Sequence, residues 1–171
     1  MVAAQHQLTK EDEASIDSVY QKRARTLFSV DDLVAETISL LGELGIDKHT
    51  YVMFTSDHGF HLGQFNLGIA KRQVYDTDVR VPFMVRGPGL KGGSSYSAPS
   101  SHVDLSPTIL DMAKIPVPLT MDGVSLLPPL AGKVPERWRK HVFVEFDGAH
   151  GVGYDMIGKS VPHAWNTMSF T

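Results

Sequence analysis

A long stretch without helix breakers most constrains the fold of this chain. From about Leu8 to Leu44 the sequence holds no proline, and its first glycine is Gly42, while good helix formers are frequent. Apolar residues recur at three- and four-residue spacing, which gives one face of a helix an apolar stripe. The stripe comprises Leu27, Val30, Val34, Ile38, Leu41 and Leu44. The pattern predicts a long amphipathic helix that needs a partner surface.

Ser29 leaves two alternatives open within this stretch. Ser29 and Asp32 have the spacing of a capping box, which would start a second helix at that point. A single helix running through Ser29 is equally consistent with the sequence, because no residue there breaks it.

Shorter elements follow the helical stretch. An apolar, β-rich run at 51–56 is typical of a buried parallel strand. Further strands are predicted at 81–86 and 141–146, and helices at 104–113 and 126–131. This order predicts an α/β fold with a mostly parallel sheet flanked by helices. We expect the sheet to be incomplete, because three strands make a poor parallel sheet and no strand precedes the long helix.

The composition excludes several classes of function. Lys and Arg number 16 against 19 Asp and Glu, so no basic excess indicates binding to nucleic acid or to an anionic membrane. No apolar run is long enough to span a bilayer, and the polar start of the sequence predicts no secretory signal. Cysteine is absent, which excludes disulfides, thiolate metal sites and a nucleophile derived from cysteine within this chain.

The segment TSDHGFHLGQF carries the candidate chemistry. It follows the strand predicted at 51–56, and sites in open α/β sheets form at the carboxyl ends of strands. Asp57 with His58 is a common beginning of a metal site, and His61 adds a second imidazole. Lys71 follows as a cation that can hold a sulfate or phosphate oxygen. From these residues alone, a turn capped by Asp57 with two surface histidines remains an equal alternative.

Four consecutive blocks of the sequence resemble the second half of the sulfatase catalytic domain. They are TSDHGFHLGQF, AKRQVYDTDVRVPFMVRGPG, HVDLSPTILDMA and MDGVSLLPPLAG. The resemblance is greatest to the N-acetylglucosamine-6-sulfatase group and runs from about Leu8 to Phe146. It implies an alkaline-phosphatase-like fold, with residues 1–146 as the C-terminal part of the catalytic domain. Residues 147–171 match nothing in the family and are expected to be a loop-rich continuation.

The resemblance also implies a chemistry for the candidate residues. Sulfatases hydrolyse sulfate esters with a formylglycine, formed from Cys or Ser in a C/S-x-P-S-R motif, and with a divalent ion that is usually Ca²⁺. Asp57 and His58 match a pair of metal ligands in the family, and Lys71 matches a lysine that contacts the sulfate. His61 matches a histidine of the glucosamine-6-sulfatase group, so it is a candidate on the substrate side, with a structural role as the alternative.

The nucleophile motif of the family is missing from this chain. The segment 97–101 has a Ser-x-Pro-Ser pattern, but it lacks the final arginine and follows the metal block, so we interpret it as a loop. The pair Asp31-Asp32 lies within a helical pattern and is not at a strand end, which favours a solvated helix face. We therefore expect this chain alone to be inactive.

Three functional hypotheses follow. The resemblance implies a lysosomal or secreted enzyme that hydrolyses a 6-O-sulfate ester on a glucosamine-containing glycan, such as heparan or keratan sulfate. A phosphoesterase or phosphoethanolamine transferase of the wider alkaline-phosphatase-like superfamily is the enzymatic alternative, since those proteins also place Asp-His-Gly at a metal site. The third hypothesis is a remnant without catalytic activity.

Overall fold

Short elements follow one long helix in the part of the chain that the computed structural model describes. The described residues are 7–71 and 73–146, together with the strand backbone at 153–154, 160–161 and 166–170. The helices are α1 (Lys10–Glu43), α2 (Asp76–Val79), α3 (Leu105–Met112) and α4 (Leu127–Leu130). The strands are β1 (Val52–Thr55), β2 (His61–Leu62), β3 (Ile69–Ala70), β4 (Phe83–Arg86), β5 (Val142–Phe146), β6 (Gly153–Tyr154), β7 (Ser160–Val161) and β8 (Asn166–Phe170).

The first helix, α1, is continuous over 34 residues. Thr9 caps it, because its side-chain oxygen accepts a hydrogen bond from the backbone N–H of Asp12 at 3.2 Å. The Asp12 carboxylate accepts a bond from the backbone N–H of Thr9 in return, at 2.8 Å, which completes a capping box. The helix passes through Ser29 without a break, so the single long helix is confirmed and the second helix start is wrong.

Gly45 terminates α1 in a Schellman motif. Its φ of +68° is a left-handed conformation that glycine adopts without steric cost. The N–H of Gly45 donates to the carbonyl of Gly42 at 3.0 Å, and the N–H of Ile46 donates to the carbonyl of Leu41 at 3.1 Å. These two bonds satisfy carbonyls that would otherwise lack partners at the helix end.

The apolar stripe of α1 is only partly covered. Ile16 is the buried residue of this helix, and Val30, Ile38 and Leu41 are half-buried. Leu27 and Leu44, which belong to the predicted stripe, are 59% and 61% exposed. Despite its length, neither α1 nor any other helix in the described ranges is apolar enough to cross a bilayer.

The described strands pair in twos and do not form the single, mostly parallel sheet that was expected. The described pairings form four two-stranded sheets, which join β1 with β4, β2 with β3, β5 with β8, and β6 with β7. β2 and β6 run antiparallel to their partners. A short loop after β2 turns the chain directly back into β3, whereas a parallel neighbour would need a crossover of about a dozen residues.

The chain divides into two compact units. The first unit comprises Met1–Ile46, Phe54–Met84 and Glu145–Thr167, and the second comprises Asp47–Met53, Val85–Val144 and Met168–Thr171. The tail predicted as a loop-rich continuation contains the strands β6 to β8, and the rest of 147–171 lies outside the described residues. Among the residues whose burial the structure describes, the buried apolar side chains of the first unit are Ile16, Leu67, Ile69 and Val74.

A buried carboxylate organises the second unit. Asp104 is fully buried and accepts hydrogen bonds from the backbone N–H groups of Ser101 and Val124, each at 2.9 Å. The guanidinium of Arg139 pairs with the same carboxylate. These charge-assisted bonds hold the start of α3 against the segment that precedes α4.

Candidate functional site

The end of strand β1 places Asp57 at the surface of the first unit. The strand runs to Thr55, and two residues later the Asp57 side chain is 81% exposed. The hydroxyl of Ser56 donates to the carbonyl of His58 at 2.9 Å, which closes a tight turn around Asp57. The turn thus presents the carboxylate to solvent immediately beside the His58 ring.

The imidazole of His58 lies between an anion and a cation. Its Nε2 is 3.2 Å from a carboxylate oxygen of Asp57 and 2.6 Å from the ammonium nitrogen of Lys71. Its Nδ1 is 2.6 Å from the carbonyl of Gly59, and because a carbonyl can only accept, this contact assigns the proton to Nδ1. In the neutral ring, Nε2 then accepts the bond that Lys71 donates. The structure therefore brings together three of the four predicted site residues.

The surroundings of Asp57 keep its carboxyl ionised. Loss of hydration is the largest single influence on the pKa of Asp57 and raises it. Hydrogen bonds from the backbone N–H groups of His58 and Asp57, together with the electrostatic interaction with the His58 ring and the charge of Lys71, act in the opposite direction. Together they leave the pKa of Asp57 below its ordinary value, so the group is a carboxylate at neutral pH.

His61, the fourth predicted site residue, lies in a buried pair with Asp78. Its Nδ1 is 2.9 and 3.0 Å from the two carboxylate oxygens of Asp78, and both side chains are almost fully buried. Asp78 also accepts hydrogen bonds from the backbone N–H of Gln73 at 2.9 Å and from the hydroxyl of Thr77 at 3.2 Å. The other ring nitrogen of His61 is buried without a hydrogen-bond partner among the described residues. A substrate-side role for His61 stays a prediction.

The backbone around this pair joins the loop after β1 to helix α2. The N–H of Gly59 donates to the carbonyl of Asp78 at 2.7 Å, and the N–H of Phe60 donates to the carbonyl of Thr77 at 2.8 Å. A Cβ on residue 59 would lie 2.0 Å from the Thr77 carbonyl oxygen, so this approach requires glycine. Asp78 could not be recognised from the sequence as the partner of His61, because a helix of four residues has no periodicity to reveal it.

The site fits part of a metal shell. Two adjacent ligands of an ion bound at about 2.4 Å are roughly 3.4 Å apart, which is close to the 3.2 Å between Nε2 of His58 and the Asp57 oxygen. No group of three or more His, Asp or Glu side chains comes together around such a position in the described residues. Asp57 and His58 thus have the spacing of two adjacent metal ligands, and their role as ligands stays a prediction.

Comparison with known proteins defines the class of this chain. The family model described as Sulfatase matches residues 2–115, which is most of the chain. The chain belongs to the sulfatase family, as its four sequence blocks predicted.

Two relatives show which sulfatases this chain resembles in sequence. Over 134 residues the chain is 46% identical to human N-acetylglucosamine-6-sulfatase. The matched region covers 78% of this chain and 24% of that protein. It is 44% identical over 130 residues to the extracellular sulfatase SULF-1 homolog of Drosophila melanogaster, covering 74% of this chain and 12% of that protein. The chain therefore spans about a quarter or less of the length of these relatives.

Two solved structures are also similar to this chain, in both fold and sequence. The phosphonate monoester hydrolase SpPMH from Silicibacter pomeroyi matches with a TM-score of 0.67 and 36% identity, over 74% of this chain and 25% of its own. BT4656, solved in complex with its substrate D-glucosamine-2-N,6-O-disulfate, matches with a TM-score of 0.68 and 31% identity, over 84% of this chain and 28% of its own. The chain thus shares its fold with the matching quarter of these enzymes, which agrees with the fold that the resemblance implied.

Proposed function

We propose that the protein containing this chain hydrolyses a 6-O-sulfate ester on a glucosamine-containing glycan, such as heparan or keratan sulfate. The observation that carries the proposal is the contact between the Lys71 ammonium and Nε2 of His58 beside the Asp57 carboxylate. Two relatives support the substrate class. One is N-acetylglucosamine-6-sulfatase at 46% identity, and the other was solved with D-glucosamine-2-N,6-O-disulfate.

Each site residue has a distinct part in this proposal. Asp57 and His58 would hold Ca²⁺, which when bound polarises a sulfate oxygen and orients the ester. Lys71 is exposed, so its ammonium can leave His58 for a sulfate oxygen and offset the charge that develops there as the ester bond to sulfur breaks. The nucleophile, a formylglycine in this proposal, belongs to sequence outside this chain. The chain alone is therefore expected to be inactive.

The compartment is also part of the proposal. An extracellular relative, 44% identical to this chain, supports a secreted location for the protein, and a lysosomal location is the alternative that the family resemblance implies. Sulfated glycans of the cell surface and matrix would be its substrates there.

One structural likeness favours a second candidate function. The phosphonate monoester hydrolase that matches this chain shares 36% identity with it, and a phosphonate or phosphate ester carries oxygens of similar geometry to a sulfate ester. A metal ion and a lysine would stabilise either anion in the same way. The third hypothesis, a remnant without activity, predicts no turnover of any of these esters.

The test begins with the transcript upstream of Met1. A C/S-x-P-S-R motif in frame supports the sulfatase, whereas a lone Thr or Ser nucleophile supports the phosphoesterase. The longer protein is then assayed on a 6-O-sulfated N-acetylglucosamine, an aryl sulfate and a phosphonate monoester. We expect turnover of the sulfate esters to fall further in Asp57→Ala than in Lys71→Ala, because the carboxylate is a ligand of the ion that orders the rest. A preference for the phosphonate ester would contradict the proposal.

A further inference from the structure

A groove in the second unit is lined mainly by positively charged side chains, although the chain as a whole has a net negative charge. It encloses about 490 Å³, which is within the range of sites for small ligands. Lys48, Arg86 and Lys91 line it, together with a single carboxylate, Asp47. We call it the cationic groove. None of its residues belongs to the Asp57, His58 and Lys71 site.

The cations of the groove are not neutralised locally. Lys48, Arg86 and Lys91 form no ion pair with any residue in the described ranges, and all three are exposed. The groove therefore carries an excess of positive charge in a chain whose net charge is −3. Positive charge concentrated between protein walls attracts anions more strongly than the same charges on an open surface.

One wall of the groove is held in a fixed shape. The Tyr51 hydroxyl donates to the carbonyl of Pro88 at 2.9 Å, and a Cβ on Gly87 would lie 2.3 Å from the Tyr51 ring. The next turn closes through a bond of 3.2 Å from the N–H of Leu90 to the carbonyl of Gly87, with Gly89 at a φ of +74°. The tyrosine ring thus supports a tight turn, which fixes the backbone between Arg86 and Lys91.

The groove combines charge with apolar surface. Val85, Pro88 and Leu90 contribute apolar side chains to the same lining as the cations. A sulfated sugar has the matching chemistry, because its C–H faces are apolar while its sulfate groups are strong anions that accept charge-assisted hydrogen bonds. A small inorganic anion would use the cations but not the apolar surface.

We propose that the cationic groove binds a sulfate group of a sulfated oligosaccharide through Lys48, Arg86 and Lys91, while the sugar ring packs on Pro88 and Leu90. This site would hold a different sulfate from the one that is hydrolysed. The choice of a glycan among anionic ligands rests on the proposed function, whereas the groove itself does not.

The experiment measures binding of a heparin-derived tetrasaccharide to the 171-residue chain by calorimetry at low salt. The double variant Arg86→Gln, Lys91→Gln removes two cations of the groove. The matched control, Lys133→Gln with Lys140→Gln, removes two exposed cations of the same unit that do not line it. We expect the groove variant to bind about 10-fold more weakly than the wild type and the control to change less than about twofold.

Two further ligands identify what the groove recognises. A desulfated tetrasaccharide should not bind, and inorganic sulfate should bind far more weakly than the sulfated tetrasaccharide. Inorganic sulfate that binds equally well would overturn the glycan assignment, and an equal loss in both double variants would show that only net charge matters.

A third variant separates this proposal from the proposed function. If Lys71→Gln abolishes binding of the tetrasaccharide while the groove variant binds normally, the groove proposal is wrong and the proposed function stands. If the groove variant loses binding but the longer protein hydrolyses no sulfate ester, the proposed function fails and the groove remains.

Discussion

The ammonium nitrogen of Lys71 lies 2.6 Å from Nε2 of His58, the ring nitrogen that also faces the Asp57 carboxylate at 3.2 Å. Lys71 follows His58 by thirteen positions in the chain. The loop between them returns because Gly59 packs against Thr77 and because β2 pairs with β3. A cation, an imidazole and a carboxylate are thereby held at one position, with their charges balanced.

The first prediction concerns the titration of Asp57. Lys71→Gln should raise the pKa of Asp57 towards its ordinary value, because the ammonium is one of the charges that lower it. The measurement is a titration of the Asp57 carboxyl followed by ¹³C NMR. Lys48→Gln removes a cation of the second unit and serves as the control, which should leave this titration unchanged.

The lowered pKa of Asp57 also predicts how the stability of the chain depends on pH. A carboxyl whose pKa is lowered by folding stabilises the native state above its unfolded pKa, which is near 3.8, and this contribution is lost as the pH falls through the folded pKa. The unfolding midpoint of Asp57→Asn should therefore depend less on pH below about 4 than that of the wild type. Identical pH dependence of both proteins would contradict the assignment.

The second prediction separates the roles of Asp57 and Lys71 towards a cation. Asp57→Asn should weaken binding of Ca²⁺ or Tb³⁺ to this chain, because a carboxylate oxygen is the ligand that such ions prefer. Lys71→Gln should strengthen it, because a positive charge beside the ligands is removed. Terbium luminescence measures both, with Asp47→Asn as the control. Weaker metal binding in Lys71→Gln would contradict the proposed arrangement.

Elements with a visible apolar run or helix signal could be predicted from the sequence, including the four-residue elements β1, β4 and α4, whereas elements without such a signal could not. The uninterrupted helical pattern predicted α1, and the apolar run at 51–56 predicted β1. The strands β2 and β3 have two residues each and α2 has four, which is too short for any periodicity. Such elements are formed by particular contacts, as when the N–H of Leu62 donates to the Gln64 side chain.

The candidate site could likewise be predicted only where the sequence carries a local signal. The proximity of Asp57, His58 and Lys71 could be expected, because a loop rich in glycine follows a strand end. A structural role for His61 was one alternative, but its buried pairing could not be predicted, because its partner Asp78 lies 17 residues away on a helix that the sequence did not reveal. Pairing with a carboxylate removes a histidine from the surface, and no local pattern encodes it.

The third prediction tests the buried pair through two aspartates of α2. Asp78→Ala should destabilise the chain by about 3 kcal/mol, because it leaves the buried ring of His61 and the N–H of Gln73 without an acceptor. Asp76→Ala is the matched control. It removes only an exposed pair with Arg80 at 3.4 Å, so it should cost about 0.5 kcal/mol or less. Denaturant unfolding measures both variants.

This comparison also tests whether the pair positions the site. If α2 holds the loop after β1, Asp78→Ala should disturb the contact between Lys71 and His58, and the ¹⁵N shift of His58 Nε2 should move. Asp76→Ala should leave that shift unchanged. Equal stability of the two variants would show that the His61–Asp78 pair contributes nothing beyond a surface ion pair.

The last prediction compares two tyrosines of the second unit. The hydroxyl of Tyr51 donates to the Pro88 carbonyl at 2.9 Å, whereas the buried hydroxyl of Tyr96 has no hydrogen-bond partner in the described part of the chain. Tyr51→Phe should therefore cost about 1 kcal/mol of unfolding free energy. Tyr96→Phe should be neutral or stabilise the chain by up to about 1 kcal/mol, because it removes a polar group whose burial is not compensated.

High pH provides an independent check on Tyr96. Burial is the main cause that raises the pKa of its hydroxyl, and the nearby Asp104 carboxylate raises it further, although Arg139 lowers it. A group whose pKa is raised on folding stabilises the native state below its unfolded pKa, near 10, and this contribution is lost as the pH rises through the folded pKa. The stability of the wild type should thus fall above about pH 10 more steeply than that of Tyr96→Phe. Parallel curves for the two proteins would place the Tyr96 hydroxyl in water and contradict its burial.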